Sequence, residues 1–130
     1  MAEKSAVRTE AAPAPFQGAP YSQAIVAGGF VFVSGQVALR PGSHELVAGD
    51  IRGQTEQVFA NLGAILEEAG SGLDRLVKTT VFLRSFADFA AMNDVYRQHV
   101  GDVPPARATV EVSELPSGAL VEIEAIALLP

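Results

Sequence analysis

The sequence predicts an α+β domain in which a mixed β-sheet carries two helices packed on one face. Three observations lead there. Two segments repeat apolar residues at three- and four-residue spacing, as amphipathic helices do. Others cluster or alternate β-branched residues, as strands do, and Gly- and Pro-containing turns separate the segments in the order ββ-α-β-α-ββ. The 130 residues suit one domain, 1–130. A chain of that size buries roughly two-thirds of its unfolded surface, enough for one core.

The first residues, running into Ala11-Ala12-Pro13-Ala14-Pro15, lack apolar periodicity. Residues 1–14 are therefore expected to be a loose N-terminal tail, its proline segment extended because proline fixes φ and donates no hydrogen bond. Ser22–Ala27 and Phe30–Ser34 read as two strands around Gly28-Gly29, a pair able to take the positive φ of a hairpin turn. Pro41-Gly42-Ser43-His44 marks another turn. Asp50 is then a good N-cap for a helix carrying Thr55, Val58, Phe59, Leu62, Ile65, Leu66 and Ala69 on one face, stopped by Gly70.

Arg75–Arg84 reads as a strand through Val77, Thr79, Thr80 and Val81. Ser85 and Asp88 resemble a capping box that opens a second helix, with Phe86, Phe89, Met92, Val95, Tyr96 and His99 on its face. Pro104-Pro105 leads in extended chain to a strand at Arg107–Val112. A turn at Leu115-Pro116-Ser117-Gly118 leads to the last strand, Ala119–Leu128.

Composition excludes several functions. There is no Cys, so disulfides, thiolate metal sites and cysteine nucleophiles are absent. Nine Lys+Arg against fifteen Asp+Glu give a formal charge of −6, the wrong sign for nucleic acid or an anionic membrane. No apolar run is long enough to span a bilayer, and a cytoplasmic location is expected. His44 and His99 lack metal-ligand spacing, and the glycine pairs lack the Lys-Ser/Thr ending of a phosphate loop, so no metal and no cofactor are expected.

Alternation in the last two strands places Ala108, Val110 and Val112 with Val121, Ile123, Ala125 and Ala127, on the side expected to meet the helices. The other side carries Arg107, Thr109 and Glu111, with Leu120, Glu122, Glu124, Ile126 and Leu128. If residues 113–118 close a simple hairpin, Thr109 falls near Glu122 and Arg107 near Glu124. Two readings of this mixed face stand: a solvated face with surface ion pairs, or a face buried against another copy of the chain.

The segments Pro105-Ala106-Arg107-Ala108-Thr109-Val110-Glu111-Val112 and Val121-Glu122-Ile123-Glu124-Ala125-Ile126-Ala127 closely resemble the RidA/YjgF family of enamine/imine deaminases. The likeness continues through Ala19–Ala24, Val31–Gln36, Gln54–Leu62, Val77–Leu83 and Phe89–Tyr96. It implies a chorismate-mutase-like subunit in a homotrimer with a barrel-like centre and three sites between subunits. It also implies hydrolysis of reactive 2-imino or 2-enamino acids, such as 2-aminoacrylate, to 2-oxo acids and ammonia.

The resemblance assigns roles residue by residue. Arg107 matches the arginine that holds the substrate carboxylate, and a guanidinium fork fits a carboxylate in two parallel hydrogen bonds. Glu122 matches the glutamate that positions or activates water, a task served by a carboxyl whose pKa is raised by partial burial. Tyr21 matches a pocket-wall tyrosine, and Ser34 and Asn93 match polar positions around the site. Thr109 stands where the family often has Cys, Ala19 where Gly is common, and the stretch from His99 to Pro105 is a few residues short. The alternatives are a non-catalytic trimeric carboxylate-binding or chaperone-like protein and, against the charge balance, a ribonuclease.

Overall fold

The computed structural model describes residues 3–130. Its strands are β1 (Ser5–Val7), β2 (Ala24–Ala27), β3 (Phe30–Gln36), β4 (Leu76–Leu83), β5 (Ala106–Glu111) and β6 (Val121–Leu128). Two α-helices, α1 (Ile51–Glu68) and α2 (Phe89–Tyr96), follow β3 and β4 respectively. The strands form one mixed sheet in the order β1-β2-β3-β6-β4-β5, and β4–β5 is its parallel pair. The α+β architecture read from the sequence is thus observed.

Local chemistry explains the elements. The β2–β3 turn uses Gly28 and Gly29 at φ 59° and 83°, the positive angles a tight hairpin needs. Asp50 caps α1 by accepting from the Gly53 N–H at 3.2 Å, and Gly70 at φ 84° ends it. Val58, Phe59, Leu62, Ile65 and Leu66 of α1 are fully buried against Val31, Val81, Val121, Ile123 and Ala127 of the sheet. Buried polar side chains tether α1 to the loops that build the site. The Asn61 amide donates to the Val37 and Leu39 carbonyls at 3.2 and 3.0 Å, and Gln54 accepts from the Leu120 N–H at 2.8 Å.

The N-terminal segment is not loose. Ser5–Val7 pairs antiparallel with Ala24–Val26, and buried Gln23 bonds Thr9 in both directions and donates to the Ala12 and Pro13 carbonyls. A three-residue strand is too short to show alternation, so no periodicity marks it. Met1 and Ala2 of the expected tail lie outside the described residues.

The second correction concerns β5. It does not form a hairpin with β6; it pairs in parallel with β4, while β6 inserts between β3 and β4. Consequently Arg107 lies level with Thr79 and Thr109 with Val81, not with Glu124 and Glu122. Because Thr79 and Val81 are buried under the helices, Arg107, Thr109 and Glu111 share the helix side. Ala108 and Val110 take the opposite face, the reverse of the expected parity. A similar substitution occurs in the 3₁₀ turn Phe86–Asp88 that leads into α2, so the expected cap closes that turn and not α2 itself. Ser85 accepts from the Ala87 N–H, but the carboxylate that takes the Phe86 N–H, at 2.8 Å, is Glu111 of β5 rather than Asp88.

Candidate active site

Arg107 sits on the edge strand β5 with its half-buried side chain against α2. Its Cζ lies 4.7 Å from the centre of the Tyr96 ring and 5.6 Å from that of Phe89. Such placement over aromatic faces attracts a guanidinium electrostatically without occupying its N–H donors. No carboxylate forms an ion pair with Arg107 among the described residues. Asn93 falls between the two rings in sequence, one turn on from Phe89 and one turn before Tyr96, and is half-buried. Thr109 is two residues along β5 on the same side as Arg107. This edge therefore presents an unpaired cation on an aromatic platform.

Glu122 belongs to the other face. It pairs across the sheet with Phe82, and the adjoining cavity of about 470 Å³ includes Tyr21, Ser34, Gly35 and Glu122 in its lining. A register shift between Val33 and Gln36 carries Gly35 over the Glu122 side chain. A β-carbon at Gly35 would stand on Glu122 Oε2 and 2.9 Å from its Cδ, so only glycine leaves room for the carboxylate in this position. Burial raises the Glu122 pKa above the usual glutamate range, and neighbouring Glu124 adds to the rise by repulsion. Glu124 has no ion-pair partner among the described residues, and Arg107, which a β5–β6 hairpin would have placed beside it, lies on the other side of the sheet.

Tyr21 is 44% exposed at the cavity mouth, and its phenolic oxygen accepts from the Phe16 N–H at 2.6 Å. That bond closes the Pro13–Tyr21 segment into a loop, leaving the phenol proton free to donate elsewhere. The Ser34 hydroxyl donates to the Ser22 carbonyl at 2.6 Å and so fastens β3 to the residue after Tyr21. Phe16, Val37, Leu39 and Pro116 supply apolar wall. Within one chain the predicted residues thus fall into two groups. Tyr21, Ser34 and Glu122 converge on the cavity; Arg107, Thr109 and Asn93 gather at the α2–β5 edge, on the opposite side of the sheet.

Three contributors escaped the sequence reading. Gly35 serves by lacking a side chain, and its only mark in the sequence is a glycine inside a strand-like run, a common sign of a bulge or close approach. In the sequence, Phe89 and Tyr96 stand only as members of the apolar face of the second helix. Their seven-residue spacing, which stacks two rings on one helix face, was the available signal for a cation platform.

Among the described residues, no group of three or more His, Cys, Asp or Glu is placed to hold a metal ion. No described helix is long and apolar enough to cross a membrane. His99 instead stacks flat on Phe59, ring centres 4.7 Å apart, with its Nε2 3.2 Å from Glu56.

Residues 9–129 match the family model described as Endoribonuclease L-PSP. A RutC family protein of Pyrococcus abyssi is 52% identical over 124 residues, covering 95% of this chain and 96% of that one. A 2-iminobutanoate/2-iminopropanoate deaminase of Dermatophagoides farinae is 41% identical over 129 residues, covering 99% of each. The crystal structure of RidA from an Antarctic Psychrobacter superposes with a TM-score of 0.91 at 42% identity, covering 96% of this chain and 99% of that one.

Proposed function

The chain belongs to the RidA/YjgF family, and from that premise we propose that it hydrolyses reactive 2-imino and 2-enamino acids to 2-oxo acids and ammonia, in clefts formed between copies of itself. The observation that carries the reading is the state of two ionisable groups. Arg107 is a guanidinium held by rings and unpaired by any carboxylate among the described residues, and Glu122 is a carboxyl with a raised pKa in a cavity. The first suits a substrate carboxylate, and the second, with its pKa raised by burial, suits taking a proton from water and returning it.

The chemistry follows from those two groups. The Arg107 fork takes the substrate carboxylate and fixes the C2 position of the imine. Glu122 accepts a proton from water as the water oxygen adds to C2 of the protonated imine, and the C=N π pair moves onto nitrogen to give a neutral carbinolamine. Glu122 returns that proton to the carbinolamine nitrogen and then takes the hydroxyl proton as the C=O bond forms and the C–N bond breaks, releasing ammonia and the 2-oxo acid. An enamine enters the same route after protonation at C3. Imines already hydrolyse in water, so orientation plus acid–base help of about 10²- to 10⁴-fold suffices.

Because Arg107 and Glu122 sit on opposite sheet faces, one chain does not bring them together. A second copy completes the cleft, and three copies closing head to tail give three equivalent sites around a barrel-like centre. The open sheet face supports this arrangement. Phe32 and Leu128 are 43% and 44% exposed there, alongside Phe82, Ile126 and Val110, an apolar surface that a monomer would leave wet. Nuclease activity, which the family description names, fits poorly with a net charge of −6 and nine Lys+Arg.

The test is direct. An amino-acid oxidase generates the 2-imino acid, and its decay is followed with and without the protein. Wild type accelerates decay and Arg107→Ala does not; if wild type decays the imine no faster than buffer, the reading fails.

A further inference from the structure

Beneath Arg107 lies a buried polar pair that the reaction itself does not require. Tyr96 is 5% exposed and Thr79 is fully buried, and their oxygens are 2.6 Å apart. The pair occupies a telling position. Thr79 is the residue level with Arg107 in the β4–β5 ladder, so the strand that carries the guanidinium is paired to the strand that holds the ring beneath it. The hydroxyl bond fixes the far end of the Tyr96 side chain, and edge-on contact with Phe59, at 5.4 Å and 79°, fixes its tilt. With no ion pair among the described residues to orient it, the Arg107 fork takes its direction from the rings of Tyr96 and Phe89. Tyr96 is too buried to meet substrate, and its hydroxyl is already engaged with Thr79.

We infer that Thr79 and Tyr96 are positioning residues for substrate binding, the Thr79 hydroxyl holding the Tyr96 ring in the place where it aims the Arg107 guanidinium at the substrate carboxylate. The inference rests on the reading of Arg107 as carboxylate anchor. It also accounts for a hydroxyl pair in a buried position, where an apolar pair of the same shape would serve stability about as well.

That near-equivalence supplies the test. The double variant Thr79→Val/Tyr96→Phe removes both oxygens, leaves neither unsatisfied, and keeps the ring. It is compared with Thr79→Ser, which restores a hydroxyl, and with Arg107→Lys. The readings are kcat, KM for 2-iminobutanoate, the inhibition constant of 2-oxobutanoate, and the melting temperature. The double variant is expected to melt near wild type and to keep kcat within about twofold, while KM and the inhibition constant rise together by about five- to tenfold. Thr79→Ser is expected to stay near wild type in both constants. Unchanged constants in the double variant, with Arg107→Lys raising both, overturn the positioning role alone. Unchanged constants in Arg107→Lys as well overturn the anchor reading beneath it. If the double variant does not fold, Tyr96→Phe alone decides by the same two constants.

Discussion

Replacing Gly35 with Ala should separate catalysis from stability. The backbone of Gly35 is outside the left-handed region, so alanine meets no conformational penalty there. Such a replacement ordinarily stabilises by about 0.4–1 kcal/mol through the unfolded chain. The new methyl group, however, falls on Glu122 Oε2 and 2.9 Å from Cδ, closer than nonbonded carbons approach. What yields is the far end of a flexible side chain, so the carboxylate swings away while the sheet keeps its register. The loss should approach that of the general base itself, about 10²-fold or more in kcat. At about 1.36 kcal/mol per tenfold, that is a barrier increase of about 2.7 kcal/mol. Steady-state decay of an oxidase-generated imine measures the first quantity, and thermal unfolding the second. A Gly35→Ala protein with wild-type kcat would refute the placement of Glu122 in the reaction. One that loses activity only because it unfolds would refute the claim that the glycine serves the site rather than the fold.

Other expectations follow from the same geometry. Burial raises the folded-state pKa of Glu122, so its favourable contribution is complete below the unfolded-chain pKa and is lost as pH rises through the folded one. Glu122→Gln, neutral throughout, should therefore melt above wild type at neutral pH, with the gap closing as pH falls below the unfolded-chain value; a pH-independent gap would contradict the assignment. On the kinetic side, wild-type kcat should fall as pH drops through a pKa above the ordinary glutamate range, and that limb should vanish from the residual rate of Glu122→Gln. Phe32→Asp places a charge on the open sheet face, at a position 43% exposed in the isolated chain. It should convert the assembly to a folded, inactive monomer in sedimentation experiments, whereas an unchanged sedimentation coefficient would remove that face from the interface.

Much of this was legible in the sequence because it depends on short-range chemistry. The Asp50 cap, the Gly28-Gly29 turn and the Gly70 stop each act within a few residues, and each is where the sequence puts it. The β5 parity was not legible. Reading Ala108 and Val110 as inward follows the rule that apolar residues face the core. In this fold β5 lies at the sheet edge, where the helix side is a rim that accommodates Arg107 and the far side is the exposed apolar face. Partner choice was equally hidden, since β5 and β6 are joined by a connection compatible with a hairpin, yet β5 returns beside β4 by way of α2. Resemblance points to the candidate site positions, but their division between two faces emerges only from the strand order.

That division is the central claim, and subunit mixing tests it most directly. Arg107→Ala and Glu122→Ala are each expected to be inactive as pure assemblies. Unfolded together in equal amounts and refolded, they should regain about a quarter of wild-type activity, because each cleft draws an intact arginine half and an intact glutamate half with a chance of one half each. Mixed assemblies no more active than either parent would contradict the account, placing both residues of a working site in a single chain.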